Sequence, residues 1–149
     1  VDVPTIFFFL GILTAVAALQ SMGHLNLLAG YLDENVKDIY VINLIIGVLS
    51  AIVDNVPLVV GAMGMYEIAP PGSEGYAAFF MQDGQFWQFL AYCAGTGGSI
   101  LIIGSAAGVA AMGLEKIDFI WYAKRISILA FIGYIAGAAA YYLQMQFLA

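Results

Sequence analysis

The stretch Tyr40–Met65, YVINLIIGVLSAIVDNVPLVVGAMGM, decides how the chain reads. It is apolar on both sides of Ser50 and of Asp54-Asn55-Val56-Pro57, and Asp54 is its one charged residue. Pro57 lacks a backbone donor and collides with the preceding turn, so an unbroken helix through it would cost about 3 kcal/mol. Asp54 and Asn55 leave helical geometry readily because their side chains bond to nearby backbone. The segment therefore reads as two half-helices, Tyr40 to about Ile52 and Leu58 to about Met65. Neither half is long enough to cross a hydrocarbon core of about 30 Å alone. Together they form one kinked span or fold back as a re-entrant hairpin over about 40–65.

The rest of the chain fixes the solvent. Of 149 residues 63% are hydrophobic and 9% charged, against about 25% charged in an ordinary soluble domain. A mean hydropathy of +0.95 agrees, so most of the chain meets lipid, and disorder is excluded. Four Lys and Arg cannot neutralise a phosphate track, which excludes nucleic acid as a partner. The single Cys93 cannot form an internal disulfide. No charged n-region with a short apolar core precedes the first helix, so no cleavable signal is expected. A first residue other than Met and an abrupt apolar end suggest a piece of a longer polypeptide. At about 20 residues per crossing, the length allows about four or five passes.

Five apolar segments follow from the pattern, two of them interrupted. An opening helix runs over about 4–32, with Pro4 tolerated in its first turn. The hairpin of about 40–65 and an external loop over 66–85, with Pro70-Pro71-Gly72, come next. A broken helix covers about 86–112, interrupted at Ala94-Gly95-Thr96-Gly97-Gly98-Ser99, and a last helix covers about 121–143. Lys116, Lys124 and Arg125 place the connection before the last helix on the cytoplasmic side. The hairpin version leaves acidic connections outside and basic ones inside, and is preferred on that ground. The fold class expected is an all-α polytopic membrane protein with a re-entrant helical hairpin and a broken transmembrane helix.

Asp54 is the residue on which function rests. A carboxylate amid apolar sequence is expensive in lipid and by default faces a cavity or a partner. Such a group holds either a proton or a sodium ion, one displacing the other, which is the simplest basis for cation/proton exchange. It also suits the N-cap of the second half-helix. Asn55 and Ser50 offer uncharged oxygens of the kind that hard cations prefer, and broken helices expose carbonyls as further ligands. Gly95-Thr96-Gly97-Gly98-Ser99 is neither a phosphate loop nor a dinucleotide fingerprint. In an apolar segment, non-helical backbone is tolerated where it is protein-buried or lines a cavity. Gly104-x-x-x-Gly108 and Gly133-x-x-x-Gly137 have the spacing of close helix packing. His24 reads as interfacial, and one His with one Cys builds no zinc site.

Ser50-Ala51-Ile52-Val53-Asp54-Asn55-Val56-Pro57-Leu58-Val59, followed by Gly95-Thr96-Gly97-Gly98-Ser99 and running on to Gly108, resembles the NhaD-type sodium/proton antiporters of the ion transporter superfamily. The opening Pro4-Thr5-Ile6-Phe7-Phe8-Phe9-Leu10-Gly11-Ile12 is similar to that family's second-half leading helix. The resemblance implies a C-terminal half, one of two inverted repeats. It places Asp54 and Asn55 at the hairpin tip as Na⁺ ligands, faced by Thr96 and Ser99, with Ser50 and Thr5 as further cation or proton ligands. It implies no enzyme and no cofactor, and a carrier that exchanges Na⁺ or Li⁺ for H⁺ as its substrates in a multi-pass bacterial inner (cell) membrane. The partners implied are the lipid bilayer, the N-terminal half that completes the site and, from the wider superfamily, a homodimer. The alternatives are an anion carrier for arsenite or a dicarboxylate, and a non-transporting membrane subunit.

Overall fold

A computed structural model describes the backbone of residues 3–148. It describes their side chains apart from residues 3–5, 8, 9, 12, 25, 26, 28, 29 and 148. Helix follows the apolar runs. The elements are α1 (Val3–Ser21), α2 (His24–Asn35), α3 (Ile39–Leu49), α4 (Asn55–Met65), α5 (Gln85–Gly97), α6 (Ala106–Leu114), α7 (Phe119–Arg125) and α8 (Ser127–Leu148), with 3₁₀ turns over Gly75–Phe80 and Ile102–Gly104. Among the described residues one helix, over Ser127–Phe147, is long and apolar enough to cross a membrane by itself, while α3 and α4 are shorter apolar helices. Ile128, Leu129 and Ile132 on α8 are largely exposed, as lipid-facing residues are.

The opening helix expected over 4–32 is two helices. Gly23 adopts φ 74, a left-handed conformation that other residues reach only at a cost, and it ends α1 and starts α2 in a new direction. His24 opens α2 and is exposed. Asp38, from the acidic connection, caps α3 by accepting from Tyr40 N and Val41 N.

Pro57 does less damage than its sequence position suggests. Helix α4 begins at Asn55 rather than Leu58. That puts Pro57 in the first turn, where its missing N–H would have had no partner anyway. The interruption lies before it, over residues 50–54.

The second interruption is also displaced. The expected break at Ala94–Ser99 begins later, because α5 continues through Ala94 to Gly97. Irregular backbone runs from there to Ser105, whose hydroxyl accepts from Gly108 N and restarts the chain as α6. Gly104 therefore sits in a 3₁₀ turn and Gly108 in a helix, so the pair forms no continuous helical stripe. Of the second pair, Gly137 meets the Tyr92 hydroxyl while Gly133 faces open space. The last helix starts at Phe119, capped by the Asp118 carboxylate accepting from Trp121 N. It is interrupted at Ile126 before α8 begins. Lys124 and Arg125 close α7, where positive charge complements the helix dipole.

Two apolar clusters organise the molecule. Ile39 and Ile42 from the start of α3 share one with Ala62 and Tyr66 at the end of α4, Phe80 from the loop, and Phe86 and Leu90 of α5. Phe89, Cys93, Tyr134 and Ala138 form the other, between α5 and α8. The Tyr134 hydroxyl donates to Leu44 O, and the Tyr92 hydroxyl donates to Tyr134 O, so α8 is fastened to α3 and α5 together. The loop is held at its other side by Asp33, which accepts from Tyr66 Oη at 3.3 Å and Tyr76 Oη at 2.9 Å. Burial, then the Asp33 carboxylate, pushes both phenols well above the ordinary tyrosine range.

Candidate functional site

The site is built where α3 ends and α5 breaks. These two helices run parallel: Asn43 Nδ2 donates to Phe86 O at 3.2 Å, and seven residues on Ser50 Oγ donates to Ala94 O at 2.9 Å. Glycines let the backbones meet. A Cβ on Gly97 would overlap the Gly47 carbonyl, and one on Gly47 would overlap the Tyr134 hydroxyl and lie 2.7 Å from Cys93 O. On Gly104 a Cβ would overlap Ser50 O and stand 2.8 Å from Ala51 O, and on Gly98 it would lie 2.8 Å from Gly104 O. The turn after α3 is thus seated directly on the glycine-broken stretch, with Ser50 fully buried.

Asp54 stands four residues beyond Ser50, at the N-cap position of α4. It is partly buried. Its carboxylate makes no capping hydrogen bond, so the helix does not consume it. Asn55, the first residue of α4, is also partly buried. A carboxylate beside a helix N-terminus with neither oxygen committed to that helix is available to a cation or a proton.

The other candidates fall into place unevenly. Ser50 uses its hydroxyl proton on Ala94 O, which makes it a fastener of the two helices. Thr96 and Ser99 are exposed. The Thr96 hydroxyl donates to Tyr92 O of its own helix at 2.7 Å, a back-bond that satisfies it locally. Among the described residues no hydrogen bond joins Asp54 or Asn55 to Thr96 or Ser99. The Thr5 side chain lies outside the described residues. Among the described residues no three His, Cys, Asp or Glu side chains converge.

Two contacts, one at the site and one along the helix pair that carries it, escape a reading of the sequence. Tyr122 donates to Ser99 O at 2.8 Å. It satisfies a carbonyl that the broken helix leaves free. Asn43 is fully buried, with its amide on Phe86 O and its Oδ1 without a partner. A single Asn in an apolar helix gives no sign of which atom it will meet.

Comparison with known proteins follows the same residues. The family model described as "Citrate transporter" matches residues 1–82, more than half the chain and inclusive of the Asp54 turn. Sodium/proton antiporter 1 of Arabidopsis thaliana is 52% identical over 141 residues, 95% of this chain and 23% of that protein. Sodium/proton antiporter 2 of the same plant is 47% identical over 95% of this chain and 31% of its own length. The Na(+)/H(+) antiporter NhaD of Alkalimonas amylolytica is 36% identical over 92% of this chain and 26% of its own length. The chain therefore spans between about a quarter and a third of the curated relatives it matches. No solved structure matches it. With a family match over more than half of its length and a composition suited to lipid, the chain is an integral membrane protein and belongs to the citrate transporter (CitMHS) family.

Proposed function

We propose that this chain is the C-terminal half of a secondary transporter that exchanges Na⁺ or Li⁺ for H⁺, with Asp54 as the shared cation and proton site. One observation carries the reading: a partly buried carboxylate heads α4, uncommitted to its helix, four residues past the point where Ser50 sits on the broken α5. In the cycle, ionised Asp54 binds the cation, the site changes sides, and a proton arriving on the carboxylate expels it. No cofactor is needed, since the ions are the substrates. Asn55 supplies a neutral oxygen. Thr96, Ser99 and Thr5 complete the set with ligands of the N-terminal half once that half is packed against this one.

In this reading about 40–65 is a re-entrant hairpin and the unit is one of two inverted repeats, working in the bilayer as a homodimer. Depth supports it. Tyr40, hydrogen-bonded to Gln85 and stacked edge-on to Tyr142, belongs with Trp87 and Tyr141 to an aromatic collar suited to a membrane interface. Ser50 lies ten residue steps along α3 from Tyr40, about 15 Å of rise and half of a hydrocarbon core of about 30 Å. The names of the relatives, sodium/proton antiporters, support the choice of ions. The membrane is one that holds a proton gradient.

The family description favours a second reading, an anion carrier. A bare carboxylate at the hairpin tip repels an anion, which counts against it unless Na⁺ is co-bound. The experiment is Asp54→Asn in the complete protein, assayed as ΔpH dissipation in everted vesicles on addition of Na⁺ or of citrate. Loss of the Na⁺ response with normal membrane insertion supports the exchanger. A Na⁺ response that survives in Asp54→Asn, or a wild type that responds to citrate alone, overturns it.

A further inference from the structure

Between α4, α5, the loop that joins them and the end of α1 at Gln20 lies an open cavity of about 600 Å³. Its lining descends in order along the two helices. Glu67 and Asp83 stand in the loop at the rim, Met63 and Trp87 line the middle, and Val59 and Ala91 are the deepest positions of α4 and α5 to reach it. Val59 is one turn from Asn55, and Ala91 is one turn from Gly95. Along α4 the cavity floor therefore comes within a turn of Asn55, and along α5 it comes within about a turn and a half of Thr96.

We propose that this cavity is the vestibule by which cations reach Asp54 from the face bearing the loop 66–85, and that Glu67 and Asp83 concentrate cations at its mouth. The inference rests on the exchanger reading and adds an access route and two affinity-determining residues to it. Both rim carboxylates are exposed and make no hydrogen bond through their side chains among the described residues. Apart from Gln20 of α1, the walls below are mostly apolar, and low-dielectric walls focus the field of charges at a rim. Charge at this end of the molecule is one-sided. Asp33, Glu34, Asp38, Glu67, Glu74 and Asp83 are accompanied there by Lys37, while Lys116, Lys124 and Arg125 lie at the connections around α7. A monovalent cation arriving from this face meets a negative mouth, then a short apolar descent that no anion is drawn to enter.

The test uses the complete protein in liposomes of known orientation, with Na⁺-driven proton movement read from each face. Glu67→Gln with Asp83→Asn is expected to raise the Na⁺ KM on the loop face by about 3–10-fold at about 10 mM ionic strength, where the Debye length is about 30 Å. It should leave kcat and the KM of the opposite face unchanged, and the difference should vanish in about 0.5 M choline chloride as screening takes over. Val59→Cys and, separately, Ala91→Cys should be modified from the loop face by a cationic, membrane-impermeant methanethiosulfonate, read by mass, with loss of exchange. A KM that does not move overturns the role of the carboxylates. Cysteines inert at both positions show the cavity filled by another part of the protein and overturn the vestibule. Wild-type exchange is the control for the underlying reading: its absence sinks that reading, whereas intact exchange with inert cysteines sinks the vestibule alone.

Discussion

Gly47 and Gly97 meet backbone against backbone, so that a methyl group on Gly97 would occupy the space of the Gly47 carbonyl oxygen. A carbonyl in a helix cannot swing aside as a side chain can. The glycine run after Cys93 therefore contains two kinds of glycine, since Gly95 faces open space. Gly97→Ala should lower stability towards the upper end of the about 1–3 kcal/mol that overpacking costs, or more. Gly95→Ala, in a helix with room for the methyl, should change it by no more than about 1 kcal/mol. Thermal unfolding of the two variants in detergent checks the contrast, and equal losses would refute it.

Tyr122 reaches across from α7 to the carbonyl of Ser99, a group with no helical partner because α5 has ended. Tyr122→Phe should cost about 1 kcal/mol, the net worth of one hydrogen bond, and more if water cannot replace the lost donor. Tyr142→Phe is the control, because Tyr142 is exposed and its hydroxyl accepts from Gln146 one turn away. If both variants unfold at the same temperature, Tyr122 does not support the break.

Asn43 is buried with one polar atom paired and one not. An unpaired buried acceptor is a cost, and a charge in its place is a larger one. Asn43→Leu, close in size, should lie within about 1 kcal/mol of wild type, whereas Asn43→Asp should lose about 2 kcal/mol or more at neutral pH. Acidification should restore much of that loss by neutralising the new carboxyl. Denaturation of each variant at two pH values measures both effects, and a destabilised Asn43→Leu would show that the amide contributes more than it costs.

Much of this was legible in the sequence because the decisive residues act locally. Pro57, Asp54 and the glycines announce interruptions in apolar runs whatever surrounds them, and low charge with long apolar runs announces lipid and helix. The edges of the interruptions were less legible. Pro57 is compatible with a first turn, Ala94 to Gly97 are compatible with helix, and only the capping by Ser105 and the left-handed Gly23 decide where segments end. What touches the site was least legible of all. Nothing in a tyrosine near a run of basic residues says that its hydroxyl ends on Ser99 O, and nothing in Thr96 says that its hydroxyl turns back to Tyr92 instead of towards Asp54. These are products of three-dimensional packing, which one sequence does not encode in its spacing.

The bare backbones at Gly47, Gly97 and Gly104 carry a genetic consequence. Every missense change reachable from a glycine codon by one nucleotide, to Ala, Ser, Val, Cys, Asp, Glu, Arg or Trp, adds at least one carbon where a neighbouring carbonyl already stands. At these codons only silent substitutions leave the crossing of α3 and α5 intact, so natural variation there will be confined to the third base.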